Sequence, residues 1–251
     1  MQKTLFFIIL LLPWALDLLS PSEVMNSLLG SLSWGLCCVF AFSSLITTDN
    51  NLLSLSRTAL SFLSGVWICL WILSLTNPDQ NLFVTGYSSG SKSLIILHVG
   101  FLILGACMVM SSTASSLFWL FKDSRIRKKN NVNFLPSLES LKNTSIVTWK
   151  ASSYLWGIGL FIACIQAFEA FQQVLGSERS KNWLIDHKLI LSTLLFALIL
   201  CIVVFIQKTQ HSRKKFKIIA FAGLFFTLCF LLMNSGIFIE SQHENIRWFL
   251  R

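Results

Sequence analysis

Histidine is the residue type in this chain whose number and spacing most readily suggest chemistry: there are four, His98, His187, His211 and His243. Neutral imidazole is the commonest protein ligand for metals, and two imidazoles facing each other can supply both axial positions of a haem iron. His211 stands among Lys208, Arg213, Lys214 and Lys215 and reads as a solvated polar residue. The other three border long apolar runs, where they are either ligands or merely interfacial side chains. Acidic residues in or beside apolar helices are costly, which singles out Asp17, Glu169 and Asp186. Glu169 follows Gln166 by three positions, so both fall on one face of a helix. Asp186 opens an apolar run, where a carboxylate caps free amides and complements the helix dipole; that role is compatible with a functional one. There is no His-Glu-x-x-His, no Gly-rich phosphate loop followed by lysine and no pair of intramembrane aspartates. An enzyme working only with its own side chains is therefore the poorer reading.

The elements that must position these residues are membrane helices. Of 251 residues, 54% are hydrophobic and 12% charged, and the mean hydropathy is +0.68, whereas a soluble domain carries roughly 25% charged residues. A hydrocarbon core about 30 Å thick is crossed by roughly 20 apolar residues of helix. Seven runs qualify, at 4–20, 28–48, 58–76, 93–121, 151–173, 188–207 and 216–238. The first contains Pro13 and Asp17 and is read as a retained helix, because the small-residue pattern of a cleaved signal is absent. The fold class expected is thus an all-α integral membrane protein, one polytopic domain over 1–251 with about seven transmembrane helices.

Orientation follows from the enrichment of Lys and Arg on the cytoplasmic side. With the N-terminus cytoplasmic, fourteen basic residues lie inside and six outside, so the C-terminus is expected outside. The largest inside segment is 122–150, a basic loop in which Phe134-Leu135-Pro136-Ser137-Leu138-Glu139 reads as a proline-started turn with Ser137 able to cap the residues after it. The segments 77–92, 174–187 and 239–251 share the external side, and with them His98, His187 and His243. The net charge of +9 is scattered over short loops rather than forming a continuous face, which argues against nucleic acid as a partner. All seven cysteines (37, 38, 69, 107, 164, 201 and 229) fall within apolar runs, with no Cys-x-x-Cys spacing, so neither a disulfide framework nor a zinc site is expected. Trp34, Trp67, Trp71, Trp119, Trp149 and Trp156 read as interfacial anchors or packing residues, while Trp183 and Trp248 belong to the external side.

Three stretches resemble a known family. His98-Val99-Gly100 opening a long helix, the basic loop containing Leu135-Pro136-Ser137-Leu138-Glu139, and the helix after that loop look like the CcsA/HemX-type cytochrome c assembly family, including its short YpjD-like members. The resemblance covers roughly 90–243. It implies that His98 is an axial ligand to haem held at the external face and that His243, beyond Asn234, completes the ligation, with His187 a competing second ligand. Gln166-Ala167-Phe168-Glu169-Ala170-Phe171 resembles the approach to the family's tryptophan-rich external segment, and Trp183-Leu184-Ile185-Asp186-His187-Lys188 its exit. Residues 172–182 between them contain no tryptophan, so 174–187 is a degenerate form of that segment and lacks the stacking area indoles supply to a porphyrin. The resemblance further implies haem as cofactor, held stably or transiently; a second assembly subunit and apocytochrome c as partners; and a bacterial inner membrane as location. Two other readings stand beside it. One is a HemX/YpjD-like regulator or scaffold acting through 122–150 without stable haem binding, favoured by the missing tryptophans; the other is a small transporter, which the lack of an inverted repeat disfavours.

Overall fold

The computed structural model describes residues 35–39, 42, 49–53, 92–129, 135–173, 187–209 and 213–234, of which 92–96, 166–173, 187–189 and 234 as backbone alone. Among them there is no strand. Four long helices account for most: α1 Lys92–Arg127, α2 Leu138–Gln173, α3 His187–Lys208 and α4 Arg213–Asn234. Each contains a stretch long and apolar enough to cross a membrane. At 1.5 Å per residue the 22-residue α3 and α4 are about 33 Å long, matching a hydrocarbon core, whereas the 36-residue α1 and α2 reach about 54 Å and must project beyond it.

Four such helices, not seven, are found among the described residues. The expected runs 4–20 and 58–76 lie outside those residues, as do both chain termini, and of 28–48 only 35–39 and 42 are described. The expected loop over 122–150 is corrected: α1 continues through Arg127 and α2 already begins at Leu138, leaving 128–137 as the connection. The hydropathy of 138–150 is lowered chiefly by Glu139, Lys142, Asn143 and Lys150, while its buried hydroxyls at Ser145 and Thr148 are satisfied inside the bundle. Ser112 Oγ donates to the Ser145 carbonyl at 2.6 Å, and the Ser116 and Ser145 hydroxyls are 2.7 Å apart. Thr148 Oγ1 donates to the Thr144 carbonyl at 2.7 Å. A membrane helix tolerates such residues when each hydroxyl finds a partner, and small polar side chains let neighbouring backbones approach closely.

The helices form a closed circuit in which α1 neighbours α2 and α4, and α3 neighbours the same two. Its centre is aromatic. Trp149 and Trp156 are fully buried, and Trp156 meets Phe226 edge-on at 5.1 Å and Phe230 at 6.0 Å. Their indole N–H groups donate to the Ile199 and Ser192 carbonyls, each at 3.3 Å. Of the two roles open to these tryptophans, packing is the one realised. Trp119 likewise stacks on Phe216 with centroids 4.2 Å apart. α1 and α4 close on each other at Gly223, where a Cβ would run into the Thr113 side chain. Large apolar side chains such as Phe161, Leu194 and Phe221 point outward, the reverse of a soluble domain and the arrangement lipid requires.

Candidate functional site

The circuit has two chemically different ends. One gathers the last turn of α1, the first turns of α2 and α4 and the end of α3, and it carries most of the basic residues among those described. Lys122 Nζ donates to the Leu135 and Pro136 carbonyls at 2.9 and 2.7 Å, closing the connection between α1 and α2. Asp49 accepts the Asn51 and Leu52 N–H groups at 2.9 and 3.2 Å, capping its own short helical turn, and also the Ser137 N–H at 2.9 Å. Ser137 in turn caps α2, its hydroxyl accepting the Ser140 N–H at 3.1 Å, as its position before the helix predicts. Partial burial works to raise the Asp49 pKa, but the N–H groups of Ser137, Leu52 and Asn51 and the Ser137 hydroxyl outweigh it and hold the carboxyl below its ordinary value. Lys215, almost wholly buried, donates to the Ile206 and Thr209 carbonyls at 2.7 and 3.1 Å and so closes the C-terminus of α3. Asp123 pairs with Arg127 at 3.1 Å and reaches Arg213 at 3.7 Å, tying α1 to α4.

The opposite end gathers the start of α1, the end of α2, the start of α3 and the end of α4. Here His98 is partly buried, and its Nδ1 lies 2.8 Å from the Gly159 carbonyl of α2. A carbonyl only accepts, so Nδ1 carries the proton and the lone pair of the neutral ring resides on Nε2. The two helices are close here: a Cβ at Gly159 would stand 2.9 Å from Leu102 Cδ2, so the leucine side chain would have to shift, and 3.4 Å from the His98 carbonyl oxygen, an ordinary contact. A ligating histidine almost always has its second ring N–H held in this way, which fixes tautomer and ring orientation and raises basicity. His98 is thus a neutral imidazole whose Nδ1 proton is held by α2.

Other expected site residues are placed by backbone alone or not at all. His187 is the first residue of α3, and the bond between Trp156 and Ser192 sets an antiparallel register that brings this turn to the level of Gly159, hence of His98. Glu169 lies in the last two turns of α2, at the same end. His243, Trp183 and Asp186 lie outside the described residues, together with His211 and Asp17. Among the described residues no group of three or more His, Cys, Asp or Glu is arranged to hold a metal ion; an axial pair would need only two imidazoles.

Lys122, Asp49 and Lys215 were not singled out by sequence reasoning. Only Asp49 has a recognisable local signal, an aspartate at the head of Asn50-Asn51-Leu52 after an apolar run. For the two lysines no signal exists, because their acceptors are main-chain carbonyls.

Fold and site together define a polytopic α-helical membrane protein, cationic at one end and carrying a tautomer-fixed histidine at the other. No family model, no curated protein and no solved structure matches the chain.

Proposed function

We propose that this protein handles haem in cytochrome c-type biogenesis, binding or presenting it at the membrane face opposite the cationic end, with His98 as one axial ligand through Nε2. The observation that carries the reading is the 2.8 Å contact between His98 Nδ1 and the Gly159 carbonyl, which prepares the imidazole as a ligand. The haem reading itself comes from the resemblance of 90–243, His98 included, to the CcsA/HemX-type family. The second ligand is His243 or His187; the placement of His187 at the first turn of α3, level with Gly159, favours it as an alternative to His243. Haem, when held, supplies the iron and the macrocycle; the chain's own residues ligate it, orient it through the Gly159 contact and shield it with apolar side chains. The concentration of Lys and Arg at the other end supports a cytoplasmic position for that end and an external one for His98, and the resemblance implies a bacterial inner membrane. A second assembly subunit and apocytochrome c are the partners this role requires.

The test is the visible spectrum of protein purified from haem-replete cells. Wild type should show a Soret band with sharp reduced α and β bands, lost or shifted in His98→Ala and in whichever of His243→Ala and His187→Ala removes the second ligand, and unchanged in His211→Ala. A colourless wild type, with haem available during expression, would sink the proposal.

A further inference from the structure

The outward faces of α1 and α4 change character in the same way along their length. On α1 the exposed residues include Leu117, Phe118 and Phe121, followed towards the cationic end by Arg125 and, in the turn just after the helix, Lys128 and Lys129. On α4 they run in the opposite chain direction but the same spatial sense, with Lys214 and Lys217 at the cationic end followed by Ile218, Phe221, Leu224 and Phe225. The two helices are neighbours, and Arg213 joins them at this end through Asp123. Their outward faces thus combine an apolar, aromatic portion at hydrocarbon depth with a band of cations at its edge.

The cations are not consumed by the protein's own acids. Among the described residues the carboxylates at this end are Asp49, Asp123 and Glu139, and each is engaged: Asp49 by main-chain N–H groups, Asp123 by Arg127 and Arg213, and Glu139 by Lys142 at 3.1 Å. Arg125 lies over the Phe121 ring, 5.1 Å from its centroid, so charge and aromatic surface are presented together. A soluble anion would match the cations but leave Phe121 and Phe221 unused, whereas a diacyl phospholipid matches both parts.

We propose that the outer faces of α1 and α4 form a binding site for an anionic phospholipid, its phosphate held by Arg125, Lys128, Lys214 and Lys217 and its acyl chains lying along Phe121 and Phe221. The site is separate from His98, which lies at the other end of α1, and does not depend on haem. Anionic headgroups attract basic residues near the membrane surface strongly enough for each removed charge to weaken the interaction by roughly fivefold.

The full chain, purified in a neutral detergent, is to be titrated with phosphatidylglycerol, phosphatidylcholine or inorganic phosphate while its melting temperature is followed. Phosphatidylglycerol should raise the melting temperature and the other two should not. The variant Arg125→Gln/Lys214→Gln/Lys217→Gln should need at least tenfold more phosphatidylglycerol for half the effect. Lys150→Gln, which removes an exposed charge from α2 instead, should respond as wild type does. All four substituted side chains lie at the surface, so folding is expected to survive, and a circular dichroism spectrum matching wild type checks it. Equal responses to the two lipids, reproduction of the effect by inorganic phosphate, or an unaltered response in the triple variant would each overturn the proposal.

Discussion

The two ends of the bundle solve the problem of exposed helix termini differently. At the cationic end, charged side chains reach main-chain groups: Lys122 and Lys215 donate to the carbonyls of the turns they close, and Asp49 accepts the N–H groups of Asn51, Leu52 and Ser137. Hydrogen bonds to a charged group contribute about 1.5–3 kcal/mol each, so these residues act mainly on stability. At the other end a single imidazole bridges α1 and α2 through the Gly159 carbonyl. That bond contributes little to holding the fold but sets the state of a ring suited to ligation. Under the proposed function, stability and chemistry fall at opposite ends, and substitutions should separate them.

Trp156→Ala should have the largest effect, because it empties the centre both ends share: a loss of about 3–5 kcal/mol, seen as a lower denaturation midpoint in detergent, with haem absorbance falling in parallel. Next, Lys215→Met should lower stability by about 2 kcal/mol, since the α3 carbonyls lose a charged donor in a nearly dry setting. Haem per folded protein should be unchanged in it. A loss of haem at constant stability would erase the distinction between the ends.

Asp49→Asn should cost about 1 kcal/mol, in the range for a helix cap. It should also remove a pH dependence. The Asp49 carboxyl is held below its ordinary value in the folded protein, so its stabilisation is complete above the ordinary carboxylate range and is lost as the pH falls through the lower folded value. Wild type should therefore converge on the variant in acid, and melting curves at pH 7 and pH 3 check this. His98→Phe should change stability least, by about 1 kcal/mol or less, while abolishing the haem spectrum. If it unfolds the protein instead, His98 is a structural residue and the functional end has been misassigned.

Several features were legible before any fold was known. The long apolar runs at 93–121, 188–207 and 216–238 each lie within or overlap a helix to within a few residues, because roughly 20 apolar residues in water have few alternatives to a membrane helix. The cap at Ser137 was also legible, being a local property of a hydroxyl before a helix. The first half of α2 was not. Its serines, threonines and lysines read as a loop, but Ser145 is paired with Ser112 and Ser116 on α1, Thr148 bonds back to its own helix, and Lys142 and Lys150 stay towards the surface. The tryptophans were half legible: being interfacial or buried depends on whether an acceptor awaits the indole N–H, and the Ile199 and Ser192 carbonyls are far away in the chain.

What the sequence by itself determined is the class of solvent and the inventory: a chain too apolar for water, with its cations between the apolar runs and three histidines beside them. Those follow from composition and order alone. Only the tertiary structure decided which histidine nitrogen is protonated, which carboxylates are engaged and which cations remain facing outward. Each depends on a partner remote in sequence, such as Gly159 for His98 or Arg213 for Asp123, and hydrogen bonds a few ångströms long exist only once helices have packed.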